Sequence, residues 1–233
     1  PLVVFIHGGG WSRGSKDNAS GQWKATHYPQ AGYNFASIDY RMVPAFTVEQ
    51  QAADVASALK ALLDRADALG IDRRHVVLMG HSAGAHLAAL VGTDERYLRG
   101  AGLSFADLSG VIPLDGAGYD VAAQLTGAGP RLKRTYVQAF GTDPARQRAL
   151  SPMSHAGAPN AANFLFVHVD RDDSAQQSTE LANALRRVGT RTQVEKVEGR
   201  EMRGHMEINR RLGDPSYPAT GIVDRWLAQL FAS

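Results

Sequence analysis

Cysteine is absent from the 233 residues, which excludes disulfide cross-links, thiolate metal sites and a cysteine nucleophile together. No apolar run approaches the ~18–20 residues that a membrane-spanning helix requires. Neither sign of charge is in excess: 25 Lys and Arg stand against 23 Asp and Glu, a formal net charge of +2. The densest basic group, Arg131-Leu132-Lys133-Arg134, reads as a solvated helix face and not as a nucleic-acid surface. No internal repeat or low-complexity tract stands out. What remains is 44% hydrophobic and 21% charged, ordinary for a globular chain. The length suits one α/β domain spanning residues 1–233.

Strand and helix signals alternate from end to end, the pattern of a mainly parallel sheet covered on both faces. Leu2–Ile6, Tyr33–Tyr40, His75–Met79, Gly110–Leu114, Phe164–Val169 and Thr192–Val197 read as strands. Thr47 caps a helix expected to run to about Leu69, with Gln50 completing a capping box and Gly70 ending it. Ser174–Val188 and Tyr217–Phe231 read as further helices. Residues 116–159, punctuated by Gly, Ala and Pro, suggest short helices forming a small lid. The chain enters Leu2–Ile6 at once, so an upstream segment supplying edge strands beside it is expected. With no leader visible, a cytoplasmic location is expected as well.

Gly80-His81-Ser82-Ala83-Gly84 lies between the β-branched run Val76–Met79 and the helical pattern from Ala85. A G-x-S-x-G at such a junction is a nucleophile elbow: the serine occupies a tight strand-to-helix turn that pushes its hydroxyl out of the sheet. A serine hydroxyl needs a histidine base and a carboxylate to orient that base, in the chain order Ser, acid, His. Of the eight histidines, His7, His27, His75 and His81 precede the serine. His86 lies one turn into the following helix, and His155 and His168 come too early to follow the acid. That leaves His205, in what reads as a loop after the last strand. For the acid, Asp170, Asp172 and Asp173 all follow Phe164–Val169, and the sequence does not separate them cleanly. Asp172, at the expected tip of the turn, is preferred; Asp173 doubles as a helix cap, and Asp115, after the preceding strand, is the topological alternative. His7-Gly8-Gly9-Gly10-Trp11 follows the first strand, where backbone N–H groups of Gly9 and Gly10, with that of Ala83, would converge on an oxyanion.

With these residues in place the chain resembles the α/β-hydrolase fold, in the branch of hormone-sensitive-lipase-like carboxylesterases. Its His7–Trp11 loop and Gly80–Leu87 elbow are similar to those of kynurenine formamidase (arylformamidase)-like enzymes. The resemblance implies a three-layer sandwich with a small lid and no large cap. It implies oxyanion donors at Gly9 and Gly10 and an H-G-x-x-D acid at Asp172, with Val169 standing where the family has glycine. No cofactor and no metal are implied. The expected activity is hydrolysis of small carboxylic esters through Ser82, His205 and Asp172, with aryl formamide hydrolysis as the alternative. Trp11, Tyr119 and Met206 are the expected large residues of the substrate pocket. A non-catalytic ligand-binding protein on the same scaffold, or a peptidase, fits the filled triad positions less well. The partner expected is a small-molecule substrate, with no nucleic acid and no membrane.

Overall fold

The computed structural model describes residues 1–17 and 22–232. In chain order its elements are β1 (Leu2–Ile6), α1 (Gln22–Gln30), β2 (Asn34–Ile38), α2 (Val48–Asp64), α3 (Ala66–Leu69), β3 (Val76–His81) and α4 (Ala83–Thr93). Then follow α5 (Arg96–Gly100), β4 (Gly110–Leu114), α6 (Val121–Gly127), α7 (Pro130–Phe140) and α8 (Pro144–Ala149). The chain continues through β5 (Asn163–Asp170), α9 (Asp172–Arg187), β6 (Arg191–Arg200), α10 (Glu201–Arg211) and α11 (Pro218–Phe231). The expected capping box forms: the Thr47 hydroxyl accepts from Gln50 N–H, and the Gln50 side chain accepts from Thr47 N–H. The helix breaks at Arg65 into α2 and α3, and Gly70, in the left-handed region, stops it.

The strands form one six-stranded sheet in the order β2-β1-β3-β4-β5-β6, every pairing parallel. Alternate side chains of a strand face opposite sides, and β1 divides accordingly. Leu2, Val4 and Ile6 join the core beneath α2 and α4, while Val3 and Phe5 join the core beneath α1, α10 and α11. Both faces being covered explains why β3 and β4 are buried along their whole length. The strand expected to need an upstream neighbour, β1, is paired on both sides, by β2 and β3. Among the described residues no helix is long and apolar enough to cross a membrane.

The topology fixes where chemistry can occur. The chain leaves β1 toward β2 on one side and reaches β3 on the other, so the sheet order reverses between β1 and β3. At such a switch point the loops after the two strands diverge and leave a crevice at their carboxyl ends. The glycine loop after β1 and Ser82 after β3 border that crevice. The turn after β4 lies one strand further along.

Candidate active site

Ser82 has φ 57° and ψ −118°, a backbone conformation that a non-glycine residue seldom adopts. The elbow is closed so tightly that only glycine fits beside it. A Cβ on Gly84 would sit 2.1 Å from the Ile6 carbonyl oxygen, and one on Gly80 would sit 2.1 Å from that of Gly84. Ser82 N–H donates to Leu114 O at 3.0 Å, which anchors the turn to β4.

His205 Nε2 lies 3.1 Å from Ser82 Oγ, and His205 Nδ1 lies 2.6 Å from Asp115 Oδ2. The imidazole therefore carries its proton on Nδ1 and presents a lone pair to the serine hydroxyl. Its position is fixed from behind as well: the buried His81 donates from Nε2 to the His205 carbonyl at 2.8 Å. Burial, with the nearby His205, holds His81 well below the usual histidine range. That matches a neutral donor. His205 belongs to a helix and not to a loop. Gly204 is what disguised it, because α10 packs so closely on the end of β6 that a Cβ there would lie 2.6 Å from the Gly199 carbonyl carbon.

The partner carboxylate is Asp115 and not Asp172. Asp115 directly follows β4 with φ 44°. Its Oδ1 accepts from Val169 N–H at 3.1 Å, and its Oδ2 accepts from Arg171 Nη1 at 2.9 Å in addition to His205. Burial pushes its carboxyl up, but the His205 hydrogen bond, the Arg171 charge and the Val169 N–H outweigh this and hold it well below the usual carboxylate range. Asp172 instead opens α9 as an exposed residue at the cleft wall. The reason is geometric. β4 adjoins the nucleophile strand whereas β5 is one strand further away, and Arg171 fills the space between β5 and the imidazole. Asp170 is bound to Lys196 at 2.7 Å, and Asp173 pairs with Arg171 at 3.1 Å.

The glycine loop stands beside this array. Gly9 and Gly10 have φ 126° and 60°. The loop is held by Tyr40 OH donating to His7 O (3.0 Å), and by Val43 N (3.0 Å) and Gln51 Nε2 (2.8 Å) donating to Trp11 O. The Trp11 indole N–H donates to His86 Nδ1 at 3.3 Å, and His86 Nε2 donates to Leu150 O at 2.8 Å. Burial lowers His86 to about 4, so it stays neutral in this role.

A cleft of about 640 Å³ opens over Ser82, lined by Gly10, Trp11, Ala83, Leu132, Tyr136 and Met202 together with the polar Gln124, Arg171, Asp173, Gln177 and Glu201. Two expected pocket residues are elsewhere. Tyr119 is fully buried beneath the site, edge-on to Phe166. Met206 follows His205 on α10, about 100° around the helix, and faces solvent, 43% exposed. Met202, three residues before His205, shares the histidine's face and lines the cleft instead. Tyr136 and Leu132, on an amphipathic α7, were legible only as helix.

The BD-FAE family profile matches residues 1–115. Esterase LipC of Mycobacterium tuberculosis is 31% identical over 211 residues, 85% of this chain and 51% of that protein. Kynurenine formamidase of Danio rerio is 28% identical over 231 residues, 96% of this chain and 71% of that protein. The crystal structure of esterase B from Lactobacillus rhamnosis superposes with a TM-score of 0.79 at 21% identity, covering 100% of this chain and 75% of that one. The fold is the α/β-hydrolase fold of that esterase. The chain spans about half the length of LipC, and the proteins it is similar to are named as esterases and as a kynurenine formamidase.

Proposed function

We propose that the chain hydrolyses small carboxylic esters as a serine carboxylesterase. The observation that carries this reading is the continuous chain of hydrogen bonds Ser82–His205–Asp115, at 3.1 and 2.6 Å, opening into a cleft beside a glycine loop. Ser82 Oγ attacks the ester carbonyl while His205 Nε2 takes its proton. Asp115 holds the ring and balances the positive charge that forms. The oxygen that becomes anionic is met by the backbone N–H groups of Gly9, Gly10 and Ala83. His205 then returns the proton to the departing alcohol, and a water deprotonated by the same nitrogen cleaves the acyl-enzyme.

Aryl formamide hydrolysis is the second reading, favoured by the match along 96% of the chain to a kynurenine formamidase. The two share every step and differ in the acyl group transferred, formyl for the formamide, and in the leaving group, an arylamine instead of an alcohol. Turnover of p-nitrophenyl acetate against N-formylkynurenine separates them. Stoichiometric fluorophosphonate labelling, lost in Ser82→Ala, tests the nucleophile. A folded Ser82→Ala protein that kept most of the wild-type rate would refute it, since what survives without a triad member is only the catalysis over water, roughly a thousandfold or more, from the oxyanion site and binding.

A further inference from the structure

A cation, Arg171, sits beside Asp115 and His205. Arg171 lies between β5 and α9, its side chain only 14% exposed. Its Nη1 is 2.9 Å from Asp115 Oδ2 and 2.6 Å from His205 Nδ1. Nδ1 carries a proton and has no lone pair to offer, so the two nitrogens do not bond to each other. Both donate to the same carboxylate oxygen. On its other side Arg171 Nε and Nη2 donate to Asp173 Oδ1 and Oδ2, each at 3.1 Å. Asp173 is itself held by Gln124 Nε2 at 2.9 Å and by Ser174 N–H at 2.8 Å. The guanidinium is thus fixed by β4, α6 and α9 together.

Two consequences follow from this placement. Asp115 is shut away from water, where a carboxylate without a counter-charge tends to take up a proton. A protonated acid would no longer balance the imidazolium. Arg171 prevents that, and its rigid fork also fixes the Oδ2 position. At the same time its charge lies against the edge of the ring that turns positive during acyl transfer. It therefore opposes that positive charge while Asp115 favours it. Other groups border the same ring: His81 of β3, 4.5 Å away between ring centres, and Asp172 and Asp173 of α9 and Glu201 of α10, which line the cleft with it. Tyr136 of α7 faces the guanidinium. Asp173 is the strongest offset, because it pairs directly with Arg171.

We infer that Arg171 is a positioning residue for catalysis, holding Asp115 in register with His205 and setting how readily His205 accepts its second proton. This rests on the serine hydrolase reading. Loss of the cation makes the charged imidazole easier to form, so the acid limb of the kcat/KM profile moves to higher pH. A purely structural arginine would lower the rate at every pH and leave that limb in place.

The test measures kcat/KM for p-nitrophenyl acetate from pH 5 to 9 in the intact protein and in Arg171→Met, Arg171→Lys and Asp173→Asn, with fluorophosphonate labelling to count competent sites. Arg171→Met should shift the acid limb upward by about one pH unit and lower the plateau about ten- to a hundredfold. Arg171→Lys, which keeps the charge without the fork, should hold the limb and recover part of the rate. Asp173→Asn removes the offset and should move the limb down. An unmoved limb in a folded Arg171→Met protein overturns the inference. If that variant does not fold, an unmoved limb in Asp173→Asn does so. A folded Ser82→Ala protein that kept most of the wild-type rate would instead overturn the hydrolase reading itself, and the two failures are therefore distinct.

Discussion

Replacing Asp115 by Asn changes one oxygen to an NH₂ group at almost constant shape, and the surroundings make that change costly in either orientation. Oδ1 faces the Val169 N–H, and Oδ2 faces both His205 Nδ1 and Arg171 Nη1. All three are donors, so an amide nitrogen at either position meets a donor. With nitrogen at Oδ1, the Val169 N–H is left without an acceptor inside the protein, at about 1–3 kcal/mol of stability. With nitrogen at Oδ2, the imidazole turns to its other tautomer, puts its proton on Nε2 and can no longer take one from Ser82. That tautomer error alone lowers kcat by up to about 10⁴, equivalent to about 5 kcal/mol at 1.36 kcal/mol per decade. Asp172→Asn alters only an exposed helix start at the cleft wall, and is expected to stay within about 0.5 kcal/mol in stability and within tenfold in rate. Steady-state hydrolysis of p-nitrophenyl acetate, together with urea unfolding of both variants, reads both quantities. A thousandfold loss in Asp172→Asn with an active Asp115→Asn would refute the placement of the acid after β4.

Gly84→Ala puts a methyl 2.1 Å from the Ile6 backbone oxygen and should yield little folded protein; near-normal expression and activity would contradict the closeness of the elbow to β1. Lys24 is buried against the Phe5 ring and donates to Asn209, and burial lowers it to about 7. Between about pH 7 and its unfolded value near 10.4 the unfolded chain holds a proton that the folded chain lacks, so this lysine makes stability rise with pH across that window. Thermal melts at pH 7 and 9 should show a rise in the intact protein relative to Lys24→Met, and a pH-independent difference would exclude it. In an acyl series of p-nitrophenyl esters, kcat/KM should peak between acetyl and butyryl. Each enclosed CH₂ contributes about 0.8 kcal/mol, but besides Leu132, Tyr136 and Met202 the cleft is lined by carboxylates and carboxamides; efficiency still rising at ten carbons would refute this.

The strand positions, the elbow serine and the histidine were readable because each rests on local pattern: apolar runs, a glycine-flanked serine, and chain order. The carboxylate that bonds His205 was not, because aspartates follow or end both neighbouring strands, β4 and β5, and the choice depends on lateral order in the sheet. Arg171, set among Asp170, Asp172 and Asp173, carried a signal in hindsight, since a buried arginine needs carboxylates on more than one side. Tyr119 looked like a pocket aromatic because it follows a strand, yet its ring fills the volume under Gly116. Whether a side chain faces cleft or core depends on packing partners distant in sequence. Met202 and Met206 could not be ranked until α10 was known to be a helix.

The left-handed backbone at Ser82 and Asp115, φ 57° and 44°, bears on how this protein would respond to directed evolution. Each such residue costs about 1–3 kcal/mol of conformational strain, and glycine would relieve it at both positions. Ser82→Gly and Asp115→Gly therefore gain folding free energy at the backbone while each deletes one member of the proposed triad. A screen that rewards heat resistance alone would favour glycine at codon 82, whereas at codon 115 the buried Val169 N–H, Arg171 and His205 would lose their acceptor and outweigh the backbone gain. Thermostable, working variants have to be sought at sites such as Glu201, where the φ is also positive (49°) and the side chain belongs to the cleft wall instead of the hydrogen-bonded triad.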